Sequence, residues 1–409
     1  MENLRKDVAK RIIETLGSYG VPPPYGLKYF TVGIDSYLNV IEKEYLESLV
    51  KDIGASFKLV VGIYGGGKTH FLYCVRNLAW KHNYATAYVE LSSNECPFYK
   101  LELVYRGIIK NIEPPLDEDD LLNNQYYKGI KAFTKNWIGY KYRSFKGNNL
   151  DTSQINQYIL DEIMSWDDVE SISFKKAMQH LAKKILYKDN NDIDYIEQWL
   201  VEGKYYANIH RNFGILEKPD KSTAFPYIRS LIKIVKLMGY SGLIILFDEA
   251  EQVPSLSTRE KEQVLTNLRE IIDECTSSLH NVMFFYAIPQ KEILISGRSQ
   301  IYTALRQRLE TVFQEINPSG VEINLENISM DPHKFLKEIG EKLMMIYNIA
   351  YDIVLPERIT LETIEEFADK VYEERYADIG YKRLFVKKII QAFNFIRNKN
   401  IKPAYEEIK

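Results

Sequence analysis

The chain has little cysteine, no long apolar run and almost no net charge, and each shortage closes off a class of function. Its 409 residues include only three cysteines, Cys74, Cys96 and Cys275, with no paired spacing, which argues against both a disulfide framework and a zinc site. The histidines have no metal spacing either. The longest apolar runs, such as LIILF and VMFFYAI, are far too short to span a bilayer. The N-terminal stretch MENLRKDVAKRIIETLGSYG lacks the apolar centre of a secretory signal; it is charged and sets Leu4, Val8, Ile12 and Leu16 on one helical stripe. A cytoplasmic location without a membrane partner is therefore expected. A formal charge of −3 gives no global attraction to nucleic acid, so any such contact must come from a local patch.

What is present is a chain 45% apolar, enough to bury a sizeable core in two or three domains or in one elaborated domain. Residues 57–62, FKLVVG, read as a buried strand, and Phe71, Cys74, Val75 and Leu78 follow at helical spacing. Between them Gly62, Gly67, Lys68 and Thr69 complete G-x-x-x-x-G-K-[ST], the phosphate-binding loop pattern in its strand–loop–helix setting. The glycines, Gly65 and Gly66 among them, let backbone N–H groups approach phosphate oxygens, and the helix N-terminus adds a field that favours anions. Lys68 is expected to reach the β- and γ-phosphates of ATP and Thr69 to bind Mg²⁺. His70 belongs to the same nucleotide-binding stretch and is expected to pack under the loop.

A second acidic site is needed for hydrolysis, and GLIILFDEAEQV supplies one. Leu243 to Phe247 form an apolar run ending in Asp248 and Glu249, as a buried parallel strand does when its ligands sit beyond its carboxyl end. Asp248 is expected to face Mg²⁺, and Glu249 to polarise the attacking water as general base. Further strands are read at 85–93, 281–289 and 321–328, with a helix between the third and fourth strands opened by Ser257 and Glu260 in capping-box spacing. This alternation predicts an α/β fold: a P-loop NTPase with a parallel five-stranded sheet. The acid pair on the third strand, glutamate after aspartate, points to the additional-strand class of ATPases.

The chain divides by pattern into an N-terminal helical segment (1–56), a first core half (57–112), a large helical insertion (113–240), a second core half (241–328) and a C-terminal helical lid (329–409). The lid opens at Asp331-Pro332, a helix-start signature, and two more helices are expected at about 361–375 and 382–398. Arg383, in the first turn of the last helix, is a candidate for the γ-phosphate. In YTALRQRLE, Arg306 and Arg308 diverge on a helix, and Arg308 is the candidate to reach an adjacent subunit's nucleotide. Ordinary surface roles stay open for both arginines. Residues 121–150 hold no acid, while Lys128, Lys131, Lys135, Lys141, Arg143 and Lys146 interleave with aromatics that include Tyr126, Phe133 and Trp137. Bases neutralise phosphates and rings stack on exposed bases, so this is the nucleic-acid candidate. The alternative is an amphipathic region whose aromatics are core and whose lysines are solvated.

Phosphate loop, acid pair, arginine after the fourth strand and helical lid together resemble the AAA+ module. More narrowly, TVGIDSYLNVIEKEYLESL, GIYGGGKTHFLYCVRNLA, AYVELSSNECPFYKLELVYRGII, GYSGLIILFDEAEQV and IYTALRQRLE resemble the ATP-binding proteins of BREX-type phage-defence systems, the BrxD-like group and the ATPase part of BrxC. That resemblance implies an ATPase with ATP and Mg²⁺ as cofactors, acting as an oligomer with defence-system protein partners on DNA or a DNA-bound complex. It departs from AAA+ proteins at the tip of the fourth strand, where Ala287, Ile288 and Pro289 replace the usual polar residue and only Tyr286 or Gln290 stands near to substitute.

Overall fold

The computed structural model describes residues 4–123, 127–145, 150–295, 300–328, 330–375 and 380–408. Six strands make one sheet: β1 (Ala55–Val61), β2 (Ala85–Glu90), β3 (Ile112–Glu113), β4 (Leu243–Asp248), β5 (Val282–Ile288) and β6 (Glu322–Asn324). Their order across the sheet is β3-β2-β4-β5-β1-β6. All neighbours are parallel except β3, which runs antiparallel to β2 through Thr86–Glu113 and Ala87–Ile112 pairs. The expected five-stranded parallel sheet therefore gains a sixth, antiparallel edge strand. Two residues are too few to carry an alternating pattern, which is why this strand leaves no trace in the sequence. The fold is a mixed α/β architecture compatible with a P-loop NTPase.

Strand β5 lies between β1, which feeds the loop 62–67, and β4, which ends in Asp248; Tyr286 on β5 registers with Leu59 on one side and Phe247 on the other. Leu243–Phe247 and Val282–Ile288 are buried on both faces, as the central strands of a parallel sheet must be. Side chains alternate between the faces. Leu59 and Val61 join one apolar cluster with Phe284, Tyr286 and the helices Leu101–Asn111, Ile130–Ser144, Thr152–Met164, Ile172–Leu186, Ile193–Glu202, Ala224–Leu237 and Thr258–Ser277. Five helices of residues 113–240 thus share one core with the sheet.

Val60, Ile244, Leu246 and Phe285 face the other way, into a cluster with the helix Lys68–Lys81, the N-terminal segment and the three lid helices. Those lid helices are Pro332–Tyr351, Glu357–Glu373 and Tyr381–Lys399. Pro332 stands at the start of the first one and Asp331 caps it, its carboxylate accepting from Lys334 N at 3.0 Å. The Ser257 and Glu260 pair closes its capping box on the helix Thr258–Ser277. Helix Lys6–Tyr19 buries Val8, Ile12 and Leu16 against the first and last lid helices, so the chain's two ends form one wall. Gly20 ends that helix in the left-handed region (φ 64°), its N–H bonding Leu16 O at 2.9 Å.

Candidate active site

Where β1 ends, the chain makes the loop 62–67 and enters the helix Lys68–Lys81. Gly67 sits at φ 100°, a conformation that side-chain-bearing residues rarely adopt, although a Cβ there would meet open space. Gly65 (φ 71°) is needed for closeness as well: a Cβ would lie 3.2 Å from Arg383 Cβ and 3.3 Å from Gly380 Cα, so the loop and the lid meet backbone to backbone. Lys68 is 6% exposed, and its Nζ donates to Gly62 O (3.0 Å) and Ile63 O (3.2 Å) and pairs with Glu251 Oε1 at 2.8 Å.

The start of the helix Lys68–Lys81 and the end of β4 meet at Asp248. Its Oδ2 accepts from the Thr69 hydroxyl at 2.7 Å and from the Tyr88 hydroxyl at 2.6 Å, and its Oδ1 accepts from the Glu249 N–H at 2.9 Å. Asp248 is 1% exposed, so these three donors fix an acid that water hardly reaches. A hydroxyl and a carboxylate oxygen are the donor set a hard cation takes, and Mg²⁺ would be held by Thr69 and Asp248 once their mutual hydrogen bond opens. Glu249 follows in the left-handed region (φ 62°), which turns it out of the strand direction. Burial, then the neighbouring charges of Asp248 and Glu251, push the Glu249 carboxyl above its ordinary value, while Lys68 pulls it down.

These groups form the floor of a cleft whose empty volume, including the part open to solvent, is about 1090 Å³. Gly65, Gly66, Gly67, Lys68, Thr69, Asp248 and Glu249 line it on one side. An apolar wall faces them, with Leu16, Val21, Phe30, Val32, Phe335 and Leu343 drawn from both ends of the chain.

His70 lines the cleft beside Phe30, their ring centroids 5.2 Å apart. Burial lowers its imidazole to about 4. In the lid, Arg383 lines the cleft, its guanidinium 4.9 Å over the Tyr64 ring and its Nε donating to Gly20 O at 3.2 Å. Its neighbour Lys382 grips the loop itself, donating to Gly66 O (3.0 Å) and Leu325 O (2.8 Å) with Glu326 Oε1 at 3.8 Å.

Two sets of expected residues lie elsewhere. Arg308 is not on the cleft; Asp273 holds its guanidinium in a two-pronged pair, at 2.7 Å from Nε and 3.2 Å from Nη2. Arg306 donates to Ile295 O at 2.6 Å. In the basic aromatic stretch, Trp137 is 1% exposed, its Nε1 bonding Met238 O at 2.8 Å, and Phe133 is fully buried. These rings are core, so they present no stacking face, which corrects the expectation for Trp137. Lys131 pairs with Glu197 (2.6 Å) and Asp194 (3.3 Å), and Lys141 with Glu162 (2.5 Å), all from neighbouring helices. Lys128, Lys135 and Arg143 are exposed. Tyr126 and Lys146 lie outside the described residues.

The cleft also recruits residues that sequence reasoning missed. Tyr88, on β2, gave no signal beyond a strand that must neighbour β4. Glu251 sits two residues past Glu249 and looks like one more solvated acid. The wall from residues 16–34 had no motif at all. On β5, Ala287 and Ile288 are buried and apolar, Tyr286 is fully buried with its hydroxyl unbonded, and Gln290 is exposed, so none of them offers a polar group at the cleft.

This geometry agrees with the family comparison: the BREX system ATP-binding protein BrxC/D family matches residues 4–407. The chain belongs to that family. Membership spans nearly all of the chain, the helices of 113–240 and the lid included, and it carries ATP binding in phage defence together with partners from that system. No curated protein matches the chain. Among the described residues no helix is long and apolar enough to cross a membrane.

Proposed function

We propose that this BrxC/D family member is a Mg²⁺-dependent ATPase of the AAA+ type. The observation that carries this reading is the 2.7 Å contact between the Thr69 hydroxyl and the Asp248 carboxylate, with Lys68 in the same cleft and Glu249 next in the chain. In it, Gly62, Gly65, Gly66 and Gly67 cradle the phosphates, Lys68 leaves Glu251 for them, Thr69 and Asp248 hold Mg²⁺, and Glu249 takes the proton of the attacking water. Arg383 lines the cleft, which supports a role for it in contacting the phosphates. Arg308 serves a neighbouring subunit's nucleotide only after releasing Asp273, so assembly and turnover are coupled in an oligomer. Lys128, Lys135 and Arg143 remain the candidates for contact with DNA, through phosphates and without base stacking.

The test is phosphate release by the purified chain with Mg²⁺ and ATP. Turnover should vanish with chelator, fall roughly 10²- to 10⁴-fold in Glu249→Gln with ATP binding kept, and rise with protein concentration in the wild type but not in Arg308→Ala. Unchanged release in Glu249→Gln removes that residue as base. A second reading has its own observation: the apolar tip of β5 favours a slow nucleotide-gated switch, for which release stays flat and near zero beside firm ATP binding.

A further inference from the structure

His70 stands at the seam between the cleft's polar floor and its apolar wall, next to Phe30. Its two ring nitrogens are in different circumstances. Nε2 is 2.9 Å from the Thr31 hydroxyl, and that same hydroxyl lies 2.8 Å from the carbonyl of Leu27. With the hydroxyl's one hydrogen on the Leu27 carbonyl, which also accepts from the Phe30 and Thr31 N–H groups, Thr31 offers the imidazole a lone pair. We take this arrangement and place the imidazole proton on Nε2. The Cys74 sulfur, 3.7 Å from Nε2 and 3.5 Å from Thr31 Oγ1, lies on this same side. Nδ1 is then a bare acceptor, and it has no protein partner among the described residues.

We propose that His70 Nδ1 accepts a hydrogen bond from the exocyclic 6-amino group of the nucleotide's purine, so that this residue selects 6-amino over 6-oxo bases. The apolar wall alone has no means to choose, because adenine and hypoxanthine rings bury nearly the same surface. An acceptor fixed at the wall's edge does choose. It is satisfied by an amino group, left unpaired by a purine without a 6-substituent, and set lone pair to lone pair against a 6-oxo group. Sites built around such a group reject the mismatched analogue because the orphaned polar atom costs more than the bond gains. Thr31 acts through His70 as a positioning residue: it holds the proton on the far nitrogen. The inference rests on reading the cleft as the nucleotide site.

The experiment measures, on the full chain by calorimetry, the binding of ADP, IDP, purine riboside 5′-diphosphate and inorganic tripolyphosphate. Wild type should prefer ADP over purine riboside diphosphate on the order of tenfold, the factor of one net hydrogen bond, and over IDP by at least as much. His70→Leu should bring both ratios toward one while tripolyphosphate binding stays. Thr31→Val, which removes the group that fixes the tautomer, should raise IDP binding relative to ADP. Unchanged ratios in His70→Leu with tripolyphosphate binding intact overturn the proposal and leave the phosphate site standing. Loss of tripolyphosphate binding in His70→Leu passes the decision to Thr31→Val, where an unchanged IDP-to-ADP ratio is fatal to it. A wild-type chain that binds neither tripolyphosphate nor nucleotide overturns the site reading and the base-selection reading together.

Discussion

Two basic regions of this chain, alike in sequence, end in opposite circumstances. At the phosphate loop Lys68, Lys382 and Arg383 converge on one cleft, and most of their acceptors are backbone carbonyls: Gly62, Ile63, Gly66, Leu325 and Gly20. On the helix Ile130–Ser144 two of the lysines are neutralised by Glu197, Asp194 and Glu162, and Phe133 and Trp137 between them fill the core while Tyr140 is exposed. Carboxylates stand in both regions, since Lys68 also pairs with Glu251 and Lys382 has Glu326 at 3.8 Å; what sets the loop apart is that its cations share one cleft with backbone carbonyls, whereas the helix lysines are paired one by one along a face. The difference is one of convergence: a cleft gathers its cations, and a helix face spreads them out.

That contrast can be broken by experiment. Trp137→Ala should cost about 3–5 kcal/mol of stability by leaving a cavity, as a core residue does. If denaturant unfolding shows little loss and DNA affinity falls instead, Trp137 is a stacking surface after all. Next in size, Lys68→Ala should weaken ATP binding ten- to a hundredfold, the worth of charge-assisted hydrogen bonds, while Lys141→Ala leaves it within about twofold. Equal losses in a binding titration would erase the distinction between the regions. Lys382→Met takes away the donor that ties the lid to Gly66 and Leu325; roughly 1–2 kcal/mol of stability should go, with faster amide exchange in the loop and in the helix Tyr381–Lys399. Exchange unchanged in those segments would mean that the clamp does not matter.

The smallest effect is on pH. In the proposed reaction Glu249 works as a base only when ionised, and its carboxyl is raised by burial and by Asp248 and Glu251. Turnover should therefore fall with decreasing pH earlier than an ordinary glutamate would dictate. Glu251→Gln removes one raising charge and should move that acid limb to lower pH. A limb that stays put, or moves upward, counts against Glu249 as the base.

Much of the fold was legible because its signals are local. Gly67, Lys68 and Thr69 are consecutive, and the run from Leu243 to Asp248 declares both a buried strand and where it ends. The Asp331-Pro332 start and the Ser257 capping box are equally short-range. What stayed hidden depends on distant segments meeting. Tyr88 reaches Asp248 because β2 lies next to β4, and Lys382 rather than Arg383 takes the loop carbonyl because of how the last helix is turned. The misread residues, Trp137 above all, carry the same side chains whether core or surface, and only burial tells them apart.

The sequence by itself determined the chemistry on offer: a bare glycine loop, a lysine, a hydroxyl and two acids, each placed by a pattern a few residues long. The tertiary structure alone decided which other groups join them. It wrapped residues 16–34 and the lid around the loop, and it gave Thr31 to His70 and Asp273 to Arg308. The physical reason is range. Turn geometry and strand burial are set by neighbours in the chain, whereas hydrogen bonds and ion pairs between segments exist only once the core has brought those segments together.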